Sequence, residues 1–141
     1  MADKPVFIDT NILFYAYDKD AGEKHAICKE LVTECWKSPL LPYISIQVIQ
    51  EFFVNIYKRT EDFSLSESLS SYYLSWNIVG NDTVLFLESL RFMKRYKLSY
   101  WDSAIVAAAN RAGVEELWTE DLNSGQEYGE VKAVNPMEEN L

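Results

Sequence analysis

Four acidic residues stand where the chain could do chemistry: Asp9, Glu51, Asp102 and Asp121. Asp9 directly follows Val6-Phe7-Ile8, a short apolar run that reads as a buried strand, and precedes Thr10-Asn11, which reads as a helix start. An Asp in that place either caps the helix or projects its carboxylate into the crevice above the sheet. Asp102 falls near the start of a helix expected over residues 99–112, on one face with Ile105, Val106 and Ala109. A carboxylate on an apolar stripe must be paired, protonated or metal-bound, unless Ser99 and Asp102 form a capping box. Asp121, with Glu120 before it and Asn123 after it, opens a loop beyond a strand expected over 116–119. Such loops are commonly solvated turns, but ligands also gather at the carboxyl ends of strands. Glu51 is the opposite case. Its helical wheel places it with Gln47, Asn55 and Lys58, away from Ile49, Phe52, Phe53 and Ile56, and predicts a solvated side chain.

The elements that must position these groups follow from periodicity and punctuation. Residues 23–37 set Ile27, Leu31 and Val32 among charges and predict a helix, interrupted by Pro39 and Pro42. A short strand is expected at 43–44, then a helix capped by Ser45. A further helix is expected over 66–74 and a strand over 77–79, ended by Gly80. Asp82 offers an N-cap to a helix reaching about residue 97, with Arg95 and Lys97 at its negative end. Gly113 stops the helix that carries Asp102. After the strand at 116–119 comes a polar loop with Gly125 and Gly129, then a last strand over 131–134. Strands alternating with helices imply an α/β fold with a mainly parallel sheet.

The totals bound what this can be. A chain of 141 residues, 48% hydrophobic, is one domain in length, 1–141. No stretch approaches the roughly 20 apolar residues of a membrane span, and the start lacks the pattern of a signal peptide, so the expected compartment is the cytoplasm. Cys28 and Cys35 lie seven apart in a helical segment, about 10 Å along the axis, too far for a mutual disulfide. They are expected to be reduced, and no zinc pattern is present. A net charge of −9 argues against broad phosphate-backbone binding through Lys and Arg. The single histidine, His25, cannot supply a two-histidine acid–base site. Phosphodiester cleavage by this chain would therefore have to use carboxylates and metal.

Taken in order, the segments resemble the PIN-domain family, especially the ribonuclease toxins of VapBC toxin–antitoxin modules. The carrying residues are Phe7-Ile8-Asp9-Thr10-Asn11-Ile12-Leu13, Ile49-Gln50-Glu51-Phe52, Tyr100-Trp101-Asp102-Ser103-Ala104-Ile105-Val106-Ala107-Ala108-Ala109 and Thr119-Glu120-Asp121-Leu122. The resemblance spans about residues 6 to 136. It implies a three-layer α/β/α fold with a central, mainly parallel sheet of four to five strands. It also implies that Asp9, Glu51, Asp102 and Asp121 surround one or two Mg²⁺ or Mn²⁺ ions, with Thr10 or Asn11 shaping the site through hydrogen bonds. Glu120 and Asn123 compete with Asp121 for the fourth position. The resemblance further implies an RNA substrate, a small antitoxin partner and a homodimer. Mutual repulsion among carboxylates makes a cation the natural counterweight, and oxygen-only ligands favour hard ions. Water attack on phosphorus would leave 5′-phosphate and 3′-hydroxyl ends.

Two rivals stand beside this reading. Asp9-Thr10-Asn11 loosely mimics the start of haloacid-dehalogenase-like phosphatases, although Asn replaces their second acid. A PIN fold could also act as a noncatalytic protein-binding module. Arg91, Lys94 and Arg95 share one side of a helix and could steer phosphates, or be solvated with Arg91 paired to Glu88. Lys58 and Arg59 are equally uncommitted. Tyr72, Tyr73 and Trp76 suit base stacking or, more commonly, packing.

Overall fold

The computed structural model describes residues 4–138. Six strands, β1 (Phe7–Ile8), β2 (Tyr43–Ser45), β3 (Asn77–Val79), β4 (Glu116–Trp118), β5 (Glu127–Tyr128) and β6 (Val131–Val134), form one sheet in the order β3-β2-β1-β4-β6-β5. All pairings are parallel except β5 with β6. The helices are α1 (Thr10–Tyr17), α2 (Glu23–Lys37), α3 (Ile46–Thr60), α4 (Phe63–Tyr72), α5 (Thr83–Tyr96) and α6 (Tyr100–Ala112). α1 packs on α2 and α3, α3 on α4, and α5 on α6, completing a three-layer α/β/α architecture. Among the described residues, no helix is long and apolar enough to cross a membrane.

The central strand β1 is apolar on both faces, as a parallel strand between helix layers must be, whereas the outer strands carry exposed polar residues such as Asn77, Glu127 and Lys132. Phe7, Ile8, Ile44 and Leu117 are all but fully buried at the centre of the sheet, joined by Ile12, Phe52 and Val106 from the helices. Caps set the helix starts. Ser45 Oγ accepts from Val48 N at 3.2 Å, Asp82 Oδ1 from Leu85 N at 2.8 Å, and Ser99 Oγ from Asp102 N at 3.1 Å. Strand order reverses at β1, with β2 on one side and β4 on the other. The crevice outside their carboxyl ends is therefore a topological switch point.

Two expectations are corrected. The sheet has six strands rather than four to five, because the polar loop contains β5, which folds back antiparallel on β6. Unlike β1, which ends the apolar run Val6-Phe7-Ile8, Glu127-Tyr128 stands in no apolar run that could announce a strand. The helix expected over 66–74 is Phe63–Tyr72, since Asp62 Oδ1 accepts from Leu65 N at 3.0 Å and starts it earlier. The helix after Asp82 reaches about residue 97 as expected, running over Thr83–Tyr96 with Lys97 in the left-handed region as its C-cap. Both cysteines are free and buried, and burial pushes each thiol up to about 11. Tyr73 and Trp76 pack with Trp36, whereas Tyr72 is exposed.

The β5–β6 turn is fastened to α6 by Asn110, whose Nδ2 donates to Tyr128 O at 3.0 Å and whose Oδ1 accepts from Glu130 N at 2.9 Å. Gly129 sits there at φ 66°, and a Cβ would lie 2.5 Å from Asn110 Oδ1. Gly125 has φ 90° but open space around it. Gly129→Ala is expected to destabilise by about 2–3 kcal/mol, combining strain with a broken contact, and Gly125→Ala by about 1 kcal/mol, strain alone. Urea unfolding of the two variants checks the difference; equal losses would contradict it.

Candidate active site

The end of β1 delivers Asp9 directly into the switch-point crevice. Its backbone N donates to Trp118 O at 3.0 Å, extending the β1–β4 pairing by one step. Asp9 is 6% exposed. One carboxylate oxygen accepts from Thr10 N at 2.7 Å and the other from Thr119 Oγ1 at 2.8 Å. Capping and projection are thus not alternatives, because Asp9 caps α1 and lines the cavity with the same carboxylate. Burial pushes its pKa up to about 7 against those two hydrogen bonds, and the charges of Asp121 and Glu51 push the same way.

Glu51 departs from its wheel. Thr10 Oγ1 donates to its Oε1 at 2.7 Å, and Gln47 Nε2 lies 3.4 Å from its Oε2. Glu51 is half-buried and lines the same cavity as Asp9. The amphipathic pattern of α3 locates the face that meets the core, but α1 lies across the polar flank as well. What a wheel calls solvent is here the wall of a crevice.

Asp102 stands in the first turn of α6 and faces the cavity. Ser99 caps the helix through the Asp102 backbone N–H; among the described residues, no donor holds the Asp102 carboxylate. Asp121 follows β4 by three residues, with its N–H donating to Thr119 Oγ1 at 3.1 Å and Asn11 Nδ2 lying 3.4 Å from its Oδ2. Partial burial, then the charges of Asp102, Glu120 and Glu51, raise its pKa, while Lys24 opposes them.

Glu120 and Asn123 lie outside this cavity wall. Glu120 Oε1 accepts from Tyr15 Oη and from Asn11 Nδ2 (3.2 Å), and its Oε2 pairs with Lys24 Nζ at 3.0 Å. Asn123 Nδ2 donates to Gln126 Oε1 at 3.0 Å within its own turn. Two of the basic candidates are paired away from the cavity, Arg91 with Glu88 and Arg59 with Asp18 and Asp20, and Arg95 lies over the Tyr96 ring. His25 Nδ1 is 2.8 Å from Tyr15 O.

The four carboxylates, drawn from the end of β1, α3, α6 and the loop after β4, thus line one open cavity of about 400 Å³ with no Lys, Arg, His or Cys in its wall among the described residues. Among the described residues, no three acidic, His or Cys side chains are gathered, as they stand, into a group that could hold a metal ion. Sequence reasoning did not single out Gln47, Thr119 or Trp101 as parts of the site. Gln47 stands one helical turn before Glu51, a spacing that could have found it. Trp101 lies in the Tyr100-Trp101-Asp102 segment that carries the family resemblance, but its residue type alone assigns it no role in the site.

The family model described as PIN domain matches residues 6–125. Among solved structures, the chain is similar to VapC20 of Mycobacterium tuberculosis, described as a sarcin–ricin loop cleaving toxin, at 18% identity and TM-score 0.68, over 90% of this chain and 98% of that one. It is similar to a chain of a toxin–antitoxin complex from Klebsiella pneumoniae at 23% identity and TM-score 0.68, over 93% and 97%. A chain of FitAB bound to an IR36 DNA fragment matches at 16% identity and TM-score 0.60, over 94% and 95%. These likenesses concern the fold. No curated protein matches the chain.

Because the folded pKa of Asp9 is raised, the unfolded chain ionises this group first as pH rises from about 4 to 7. The folded state then binds more protons, so stability falls with pH across that window and stays lower above it. In metal-free protein, the urea midpoint is expected to drop between about pH 5 and pH 8, and Asp9→Asn to remove much of that slope. An identical slope in the variant would contradict the assignment.

Proposed function

The chain belongs to the PIN-domain family, and from that premise we propose that it is a metal-dependent endoribonuclease and the toxin of a toxin–antitoxin module. The observation that carries this reading is the convergence of Asp9, Glu51, Asp102 and Asp121 on one cavity walled without basic or sulfur groups. All-oxygen donors suit Mg²⁺ or Mn²⁺ rather than zinc or copper. Burial first, and like charges after it, raise both Asp9 and Asp121, and a nearby cation would offset both effects. The donor set therefore fits one or two such ions in chemistry and charge, and side-chain rotation would have to close it around them. When bound, the cation supplies Lewis acidity towards a phosphodiester and its attacking water.

The chain's own residues divide the remaining work. Thr119 orients Asp9 through its hydroxyl and fixes the backbone at Asp121. Thr10 and Gln47 aim Glu51 from two sides, and Asn11 steadies Asp121. Asp102, held by no protein donor among the described residues, is the carboxylate with most freedom to turn.

Partners belong to the same proposal. A small antitoxin offering Arg or Lys would find a −9 protein and an acidic cavity complementary; two structurally similar chains come from such complexes or from a protein–DNA complex. A second copy of the chain is also proposed, with Val84, Leu87 and Leu90 exposed along α5.

The test is cleavage of an end-labelled RNA pool by pure, partner-free protein. Cutting is expected with Mn²⁺ or Mg²⁺, to stop with EDTA, and to fall at least roughly a hundredfold in Asp102→Asn or Asp121→Asn, as when charge stabilisation is lost from the transition state. Products should carry 5′-phosphate and 3′-hydroxyl ends; 2′,3′-cyclic phosphates would overturn the mechanism. No cutting by folded protein would favour a binding module instead.

A further inference from the structure

Beside the carboxylate cavity lies a second one of about 290 Å³, and the two share Gln47, Gln50 and Trp101 in a common wall. Its chemistry differs. Phe86, Tyr100 and Trp101 give it aromatic surface, and Gln47, Gln50 and Asn81 give it neutral amides. Asp82, its one acidic side chain, is committed: its oxygens accept from Arg111 Nη1 and Nη2 at 2.9 Å each, and one also caps α5. The side-chain amides of Gln50 and Asn81 have no partner among the described residues, and Gln47 uses its Nε2 alone, leaving Oε1 free.

Trp101 is 63% exposed yet braced. Its carbonyl accepts from Gln47 Nε2 at 3.3 Å, and its ring meets Tyr100 edge-on with centroids 5.0 Å apart. Tyr100 in turn lies 6.0 Å from Phe86. An apolar ligand here would strand the amides, and a charged one would find no free counter-charge. A planar, uncharged ring with a hydrogen-bonding edge satisfies both halves of the wall.

We propose that this cavity is a nucleobase subsite: Trp101 stacks a base, and Gln47, Gln50 and Asn81 meet its edge, next to the carboxylates that would act on the adjoining phosphate. The inference rests on the nuclease reading for its substrate and narrows it. A base can reach Trp101 only when it has left its helix, so the substrate is single-stranded or looped RNA.

The test uses the full chain carrying Asp121→Asn, to hold RNA without cutting it, with a fluorescein-labelled single strand of roughly twelve nucleotides in Mg²⁺, read by anisotropy. Adding Trp101→Ala is expected to weaken binding roughly five- to a hundredfold, the loss of one stacked base, and Trp101→Phe to stay within about threefold. The same strand made abasic is expected to bind more weakly to the parent and to lose nothing further on Trp101→Ala. A blunt RNA duplex should compete poorly. The double substitution Gln50→Ala, Asn81→Ala, at exposed positions, should reorder preference among poly(A), poly(U) and poly(C) while sparing abasic binding.

Equal losses for abasic and base-bearing RNA, or no loss for either, would overturn the subsite. So would a dimer-to-monomer change on Trp101→Ala with RNA binding intact, which would assign the face to a second copy. The nuclease reading fails separately: base-dependent binding at Trp101 by a parent chain that cuts no RNA would keep the subsite and remove the cleavage.

Discussion

One carboxylate, that of Asp9, is carried by β1 to a place water scarcely reaches and is held there by a backbone N–H and a threonine hydroxyl. The rest of the site is arranged around that contact. The Thr119 hydroxyl joins the ends of β4 and β1 across the switch point. Thr10, the residue after Asp9, turns its own hydroxyl to Glu51 on α3, and Gln47 one turn earlier reaches the Trp101 carbonyl on α6. A continuous chain of polar contacts thus runs from β4 through β1, α1 and α3 to α6. Each link is side chain to side chain or side chain to backbone, so the relative placement of five elements is written into a few hydroxyls and amides.

That arrangement concentrates negative charge, and the surroundings distribute the strain. Glu120, next to Asp121, is turned out of the cavity and neutralised by Lys24, with Tyr15 and Asn11 completing its hydrogen bonds. Four acids rather than five therefore face inward. The apolar centre beneath them, built on Phe7, Ile8, Ile44 and Leu117, supplies the stability that lets a raised carboxylate persist at the end of a strand.

Much of this was legible in the amino-acid order. Asp9 was placed by the apolar run before it, Asp102 by its apolar helix face, and Ser45, Asp82 and Ser99 by cap chemistry that depends on a few neighbouring atoms. Glu51 was not legible from its own helix. Periodicity describes one helix against an average core, whereas Glu51 is decided by Thr10, 41 residues away. The orientation of Glu120 is equally a matter of distant partners, Lys24 and Tyr15, that no local pattern announces. Strand β5 is two residues long and exists because Asn110 on α6 anchors its turn. Trp101 stands out in sequence only as the neighbour of Asp102 in a shared motif; its role depends on its exposure and its two cavities.

The sheet closes on one side in β5, a two-residue strand, and on the other in β3, three residues long. An edge that short offers a passing chain at most a couple of backbone hydrogen bonds, and β5 runs against the direction of its one neighbour, β6. Templated growth by strand addition, the usual hazard of an exposed parallel sheet, therefore has little to hold. Association through helix faces or through the carboxylate cavity, where side chains make specific and reversible contacts, does not have to compete with it.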